Sequence, residues 1–149
     1  MTARRAFPAD PRSVKAARAF ALSALGGMPT ELLTSVELMV SELATNCVRH
    51  VGSAFVLTLT TSARELVVEV ADEGGGVPRA QNPGPDEPTG RGLQIVAMLS
   101  RDWGVRPGRG RGKTVWFRLD TPPVPSSRGA GRATKPPVEG GGAYALSWL

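Results

Sequence analysis

The sequence predicts one α/β (α+β) domain, in which amphipathic helices and alternating strands build a shared core. A helical hydrophobic period runs through residues 30–51, and two runs of alternating hydrophobicity follow at residues 54–61 and 65–71. With 149 residues, the chain is long enough for one domain with a core and too short for two ordinary ones. From residue 122 it becomes rich in Pro and Gly and loses its periodicity. We therefore expect a folded domain over residues 1–121 and a disordered tail over residues 122–149.

The first helix is expected to begin at Asp10 and Pro11, because Asp is a good N-cap and Pro suits the first helical position. It should end at Gly26 and Gly27, since a pair of glycines stops a helix. Residues 4–8, which precede it, could form a short strand or an arm.

The longest helix is predicted over residues 30–51, with Thr30 as its N-cap. Glu42 and Asn46 lie one helical turn apart at the border of its apolar stripe, so both side chains can enter one cavity beside the core. Most such pairs are solvated surface residues. The chemistry is nevertheless specific, because a carboxylate can act as a general base and an amide oxygen suits a Mg²⁺ ion that already holds phosphates. The stripe itself consists of Val36, Met39, Val40, Leu43 and Cys47.

After the long helix, the pattern predicts an antiparallel hairpin, a flexible loop, a short helix and two final strands joined by a basic turn. The hairpin follows from the short turn between two alternating runs, and the loop from a stretch of Pro and Gly without hydrophobic period. The two strands of the hairpin are expected at residues 54–61 and 65–71, the loop at 77–89 and the short helix at 93–100. The two final strands are expected at residues 103–105 and 114–119, with the basic turn at 106–113.

Two glycine-rich segments flank the predicted loop. Asp72 ends a strand and precedes Gly74 and Gly76, so it offers a fixed acceptor for the exocyclic amine of adenine beside an open floor. Residues 90–92 begin the short helix, where free backbone N–H groups and the helix dipole favour phosphate. Taken alone, the first segment is more often a tight turn and the second a plain junction between loop and helix.

Composition argues against a nucleic-acid-binding protein. The net charge is only +5 despite a pI near 10.3, and few aromatic residues are interleaved with the basic ones. The single cysteine, Cys47, cannot form an intramolecular disulfide, which suits a reducing compartment. No apolar run reaches transmembrane length, and the N-terminal segment that faintly resembles a signal peptide lacks a clean cleavage site. We expect a cytoplasmic protein without direct membrane or nucleic-acid contacts.

Two common nucleotide-binding motifs are rejected. Residues 108–114 resemble a Walker A loop, but Pro107 stands where its first Gly is required, and a strand rather than a helix follows. The dinucleotide-binding fingerprint also fails, because Ile95 occupies its third glycine position and no strand directly precedes it.

Taken together, four motifs resemble those of the GHKL ATPase superfamily, with its Bergerat ATP-binding fold. The resemblance is closest to the bacterial anti-sigma factor serine kinases and related ATP-binding regulators. It covers residues 4–119 and implies a two-layer sandwich with helices on one face of a mixed β-sheet. The matching segments are residues 42–50 (the N box), 72–76 and 90–93 (two glycine boxes), and 112–115 (a late strand).

The resemblance also implies a role for each site residue, with ATP and Mg²⁺ as cofactors. Glu42 would be the base that activates the attacking hydroxyl, and Asn46 would be the Mg²⁺ ligand. Asp72 would bind the adenine amine, and Thr114 would approach the same base. The other nucleotide-binding positions would be Gly74, Gly76, Gly90, Arg91, Gly92 and Leu93.

The resemblance implies a protein serine kinase that phosphorylates an anti-anti-sigma (STAS-type) partner and alternatively sequesters a sigma factor. A homodimer is compatible with it. A non-catalytic ATP-sensing module, which regulates a protein partner through residues 77–89, stays open, although the intact Glu42 favours the kinase. A histidine-kinase catalytic domain fits less well, because no upstream helical hairpin carries a phosphoacceptor.

Overall fold

The computed structural model describes residues 1–74 and 89–122, an α+β domain with helices packed on a β-sheet. The predicted loop and tail lie outside the described residues, apart from Thr89 and Pro122. In chain order the elements are β1 (Thr2–Phe7), α1 (Arg12–Ala24), α2 (Thr30–Thr45), a π-helical turn (Asn46–Val51), β2 (Phe55–Thr61), β3 (Glu65–Asp72), α3 (Thr89–Leu99), β4 (Asp102–Pro107) and β5 (Lys113–Asp120).

The sheet formed by the described strands has the order β1-β2-β3-β5-β4, and every neighbouring pair is antiparallel. The α+β class is therefore confirmed, but the expected mixed sheet is antiparallel instead. The reason lies in the last strand. β3 and β4 run in the same direction, as expected when a helix connects them, but β5 returns between them and pairs with both.

One face of the sheet forms the core. On β2, Phe55, Leu57 and Leu59 are buried, whereas the residues between them are half-buried or exposed. The same alternation continues along β3 and, from Val115 onward, along β5. The three α-helices of the described residues all contribute to the core on this face, which confirms the expected two-layer arrangement. Their buried residues there include Ala17 and Ala21 from α1, Val36 and Val40 from α2, and Leu93 and Val96 from α3.

The longest helix confirms the predicted apolar stripe but differs at both ends. All five stripe residues are buried. Thr30 is wrong as the N-cap: Pro29, which has an extended backbone (ψ 146°), takes that position, and Thr30 is the first helical residue. At the other end, the α-helix stops at Thr45 and a wider π-helical turn continues to Val51. Gly52 then ends the helix in the left-handed conformation, with φ of 67°.

The first helix begins one residue later than expected, with Pro11 as its N-cap. Asp10 nevertheless forms the kind of hydrogen bond that is expected of an N-cap residue. The Oδ1 atom of Asp10 accepts a hydrogen bond from the backbone N–H of Arg12 at 2.8 Å. No helix among the described residues is both long enough and apolar enough to cross a membrane.

Cys47 lies in this core as a free thiol. Burial raises the pKa of the Cys47 thiol to about 12, the negative charge of Asp72 adds to the rise, and the positive charge of Lys113 opposes it. An unfolded chain would ionise the thiol at a lower pH. Neutral burial of Cys47 therefore contributes stability that is present at neutral pH and is lost as the pH rises toward 12.

We expect Cys47 to react with an aromatic disulfide reagent at pH 8 only as fast as the protein opens, because the folded protein holds the thiol buried and protonated. The same protein in denaturant should react at once. Above about pH 9, the free energy of unfolding should fall more steeply in the parent than in Cys47→Ala. Rapid stoichiometric labelling of the native protein would contradict the burial of this residue.

Candidate functional site

Glu42 and Asn46 lie on the last turns of α2, and both are half-buried. Asn46 has helical dihedral angles (φ −59°, ψ −46°), and its backbone N–H is directed at the carbonyl groups of Glu42 and Leu43. The turn between the two site residues is thus still helical, although the π-helical turn begins at Asn46. The predicted spacing of a carboxylate and an amide by one helical turn is present.

The N-terminal turn of α3 packs against Glu42. A Cβ atom placed on Gly92 would lie 3.6 Å from the Glu42 Cβ and 3.8 Å from its Oε2. Gly90 and Arg91 precede Gly92 in the same turn, and Leu93 is buried in the core and fixes the helix start. The first N–H groups of a helix have no partner within it, so the start of α3 places N–H groups of the kind that can bind phosphate beside the Glu42 carboxylate.

Asp72 ends β3 with a carboxylate that is only 3% exposed. Its Oδ1 accepts hydrogen bonds from the backbone N–H groups of Gly74 at 2.9 Å and of Lys113 at 3.3 Å. Its Oδ2 accepts one from the Lys113 Nζ at 2.7 Å. Gly74 has a φ of 78°, and a Cβ there would lie 2.7 Å from the backbone of Arg111. Asp72 is therefore held rigidly, while Gly76 lies outside the described residues.

Sequence reasoning missed Lys113 and selected its neighbour. The register pairs Ala71 with Thr114, so Thr114 lies on the opposite face of the sheet from Asp72. The structure therefore does not bring Thr114 to the Asp72 carboxylate, and Lys113 takes that place. The signal was present in the sequence: Val115 and Phe117 are core residues, and counting back by two from them leads to Lys113.

Ser53, which the sequence analysis does not single out, connects the π-helical turn after α2 to the end of β3. Its backbone N–H donates to the carbonyl of Cys47 at 3.0 Å, and its buried Oγ accepts from the N–H of Glu73 at 2.9 Å. These bonds tie the π-helical turn, which begins at Asn46, to the residue after Asp72. A serine between a glycine and a strand carries no sequence signal for this bridging role.

The donor set fits Mg²⁺–ATP better than a metal bound by protein alone. The described part of the chain contains no group of three or more His, Cys, Asp or Glu side chains that could hold a metal ion. Mg²⁺ keeps waters and phosphate oxygens as ligands and often needs only one or two from the protein, as Asn46 could supply. The end of β3 thus supplies a fixed acceptor, the start of α3 supplies helix N–H groups, and Asn46 at the end of α2 supplies a neutral oxygen that suits a metal ion.

A family model, the histidine kinase-like ATPase domain, matches residues 7–119. The match spans every site residue discussed above and most of the described domain. No curated protein matches the chain. The chain belongs to the histidine kinase-like ATPase domain family of the GHKL superfamily, and this membership supports ATP binding. The anti-sigma kinase subfamily stays a prediction.

The close approach of β5 to β3 makes Gly112 a sensitive position. A Cβ there would lie 2.4 Å from the Asp72 carbonyl oxygen and 3.0 Å from that of Arg109, and neither backbone atom can move aside alone. We expect Gly112→Ala to lower the free energy of unfolding by about 3 kcal/mol. The matched control is Gly110→Ala in the same turn, where φ is 58° but nothing lies within 4 Å of the added atom.

Gly110→Ala should cost only about 1 kcal/mol, from its left-handed backbone. Urea unfolding followed by tryptophan fluorescence measures both variants. Equal stability of the two would show that the contact between Gly112 and Asp72 is not tight.

Proposed function

We propose that this member of the histidine kinase-like ATPase domain family is a protein serine kinase that phosphorylates an anti-anti-sigma partner and also sequesters a sigma factor. The observation that carries the proposal is the packing of Gly92 against Glu42, which sets a carboxylate beside the helix N-terminus where phosphates would bind. A cytoplasmic setting belongs to the same proposal, because Cys47 is a buried free thiol.

The nucleotide would lie between the end of β3 and the start of α3. Asp72 would accept a hydrogen bond from the adenine amine at its Oδ2 atom. This oxygen accepts from the Lys113 side chain and, as a carboxylate oxygen, has a second lone pair for another donor. Gly90, Arg91 and Gly92 would donate to the phosphates, and Asn46 would hold Mg²⁺ together with phosphate oxygens. ATP supplies the phosphoryl group, and the residues of this chain orient it.

Glu42 would act on the other reactant. Its carboxylate would accept the proton of the attacking serine hydroxyl while that oxygen bonds to the γ-phosphorus and the bond to the bridging oxygen of ADP breaks. The helix N-terminus of α3 would offset negative charge on the phosphates during transfer. The half-buried position of Glu42 leaves its side chain within reach of a protein substrate.

Base specificity provides the first test. Calorimetry should show that ATP binds more tightly than GTP and that binding needs Mg²⁺. Asp72→Asn should weaken ATP binding by roughly tenfold or more, because a lost or reversed hydrogen bond at a buried group costs on the order of 1–3 kcal/mol. A melting curve of the variant controls for the loss of the Lys113 ion pair. Equal affinity of the parent for ATP and GTP would contradict the adenine assignment.

Substitutions at Glu42 and Asn46 separate catalysis from binding. Asn46→Ala should lower both Mg²⁺–ATP affinity and phosphotransfer, because it removes a metal ligand. Glu42→Ala should leave ATP affinity nearly intact and lower turnover by roughly 10²–10⁴-fold, the usual scale for loss of a general base. The assay is transfer of labelled γ-phosphate to a candidate anti-anti-sigma protein, with nucleotide affinity measured alongside.

Full phosphotransfer by Glu42→Ala would exclude Glu42 as the base. A parent protein that binds ATP but transfers phosphate to no anti-anti-sigma protein would favour the non-catalytic sensing module instead.

A further inference from the structure

In the proposed function, the Asp72 carboxylate accepts a hydrogen bond from the adenine amine of ATP. In the structure this carboxylate already forms an ion pair with Lys113. Lys113 is the neighbour of Asp72 across the strands, and its Nζ lies 2.7 Å from Oδ2. The Lys113 side chain is 20% exposed, whereas the Asp72 side chain is 3% exposed. A ligand that reaches Asp72 from solvent therefore meets the ammonium group of Lys113 as well.

The two oxygens of Asp72 have different partners. Oδ1 accepts from two backbone N–H groups, of Gly74 and Lys113, which the strand ends hold in place. Oδ2 accepts from the side chain of Lys113 and, like any carboxylate oxygen, has a second lone pair. A base amine can therefore bind Oδ2 without breaking the ion pair, whereas expelling Lys113 would leave a nearly buried carboxylate without its counter-ion.

We propose that Lys113 is a second base-recognition residue, whose ammonium group donates a hydrogen bond to a ring nitrogen beside the adenine amine while Asp72 accepts from that amine. The inference rests on the proposed ATP site. An ammonium group has three N–H donors, so it can bond to Oδ2 and to another acceptor together. The amine of adenine is flanked by two ring acceptors, N1 and N7, and the Asp72–Lys113 pair presents an acceptor beside a donor, which is the complementary pattern.

The close fit of the backbone fixes the pair in this arrangement. Gly112 lies against the Asp72 carbonyl, and the backbone N–H of Lys113 donates to the Asp72 Oδ1, so the start of β5 is held close to the end of β3. The Lys113 stem thus leaves the backbone at a fixed point on the same face of the sheet as Asp72. Recognition by a rigid acceptor and an adjacent donor orients the base as well as binding it.

The test is calorimetry with base analogues on three proteins: the parent, Lys113→Met, and Lys15→Met. Methionine keeps much of the aliphatic stem and removes the charge, and Lys15 is an exposed lysine on α1 that serves as the matched control. The ligands are ATP, 1-deaza-ATP, 7-deaza-ATP and purine riboside triphosphate, which lacks the amine.

In the parent and in Lys15→Met, one of the two deaza analogues should bind about tenfold more weakly than ATP. Lys113→Met should bind ATP about tenfold more weakly and show no further loss with that analogue, because the two changes remove the same hydrogen bond. The inference is overturned if the parent binds both deaza analogues as tightly as ATP, a comparison that needs no variant to fold. The inference is also overturned if Lys113→Met still binds that deaza analogue about tenfold more weakly than ATP, or if Lys113→Met binds ATP more tightly than the parent does.

Purine riboside triphosphate distinguishes this result from failure of the proposed function. Weak binding of this analogue together with unchanged deaza binding supports Asp72 as the amine acceptor and rejects Lys113 alone. A parent that does not bind ATP, or that binds the amine-free analogue as tightly as ATP, rejects the assigned base site and the Lys113 inference with it.

Discussion

The burial of one negative charge, the Asp72 carboxylate, constrains the rest of the site. A carboxylate that is nearly removed from water must be hydrogen-bonded and paired, or it destabilises the fold. Here the partners are two backbone N–H groups and the Lys113 ammonium group. Those partners require the start of β5 to lie against the end of β3, which is why residues 74 and 112 are both glycines at contacts too close for a Cβ atom. The order of the strands in the sheet satisfies the same requirement, because β5 lies between β3 and β4.

Hydrogen bonds and helix packing connect Asp72 to the other candidate site residues. Ser53 bonds to both Glu73 and Cys47, and so links the end of β3 to the π-helical turn. Asn46 begins that turn, and Glu42 precedes it by one turn of helix, against the start of α3. Three segments that are distant in sequence thus meet at one border of the core: α2 with its π-helical turn, the end of β3, and the start of α3. The groups differ in chemistry, and their separate attachment to rigid elements would let each make a different contact with the nucleotide of the proposed function.

Much of this could be predicted from local periodicity. The apolar stripe of α2 and the alternation of β2 and β3 follow from the pattern of apolar residues alone. The nucleotide site that the motifs at Asp72 and Gly92 indicate stays a prediction. The pairing of residues on neighbouring strands is harder to predict from the sequence. Pairing of Asp72 with Lys113 depends on the register of β5 against β3, and the antiparallel order depends on where the last strand inserts. Neither is encoded in a single segment, so the motif alone leads to the neighbouring Thr114.

The position of β5 has a consequence for biosynthesis. A chain emerges from the ribosome N-terminus first, and β5, the last strand of the described domain, is needed between β3 and β4. Until it arrives, the nascent chain has β3 with an open edge and a carboxylate at residue 72 whose counter-ion is 41 positions away along the chain. The helices and the β2–β3 hairpin can form earlier, but the ion pair between Asp72 and Lys113 cannot. If ATP binds as proposed, it would bind only after β5 has been synthesised, and it would not act as a template for folding of the earlier elements.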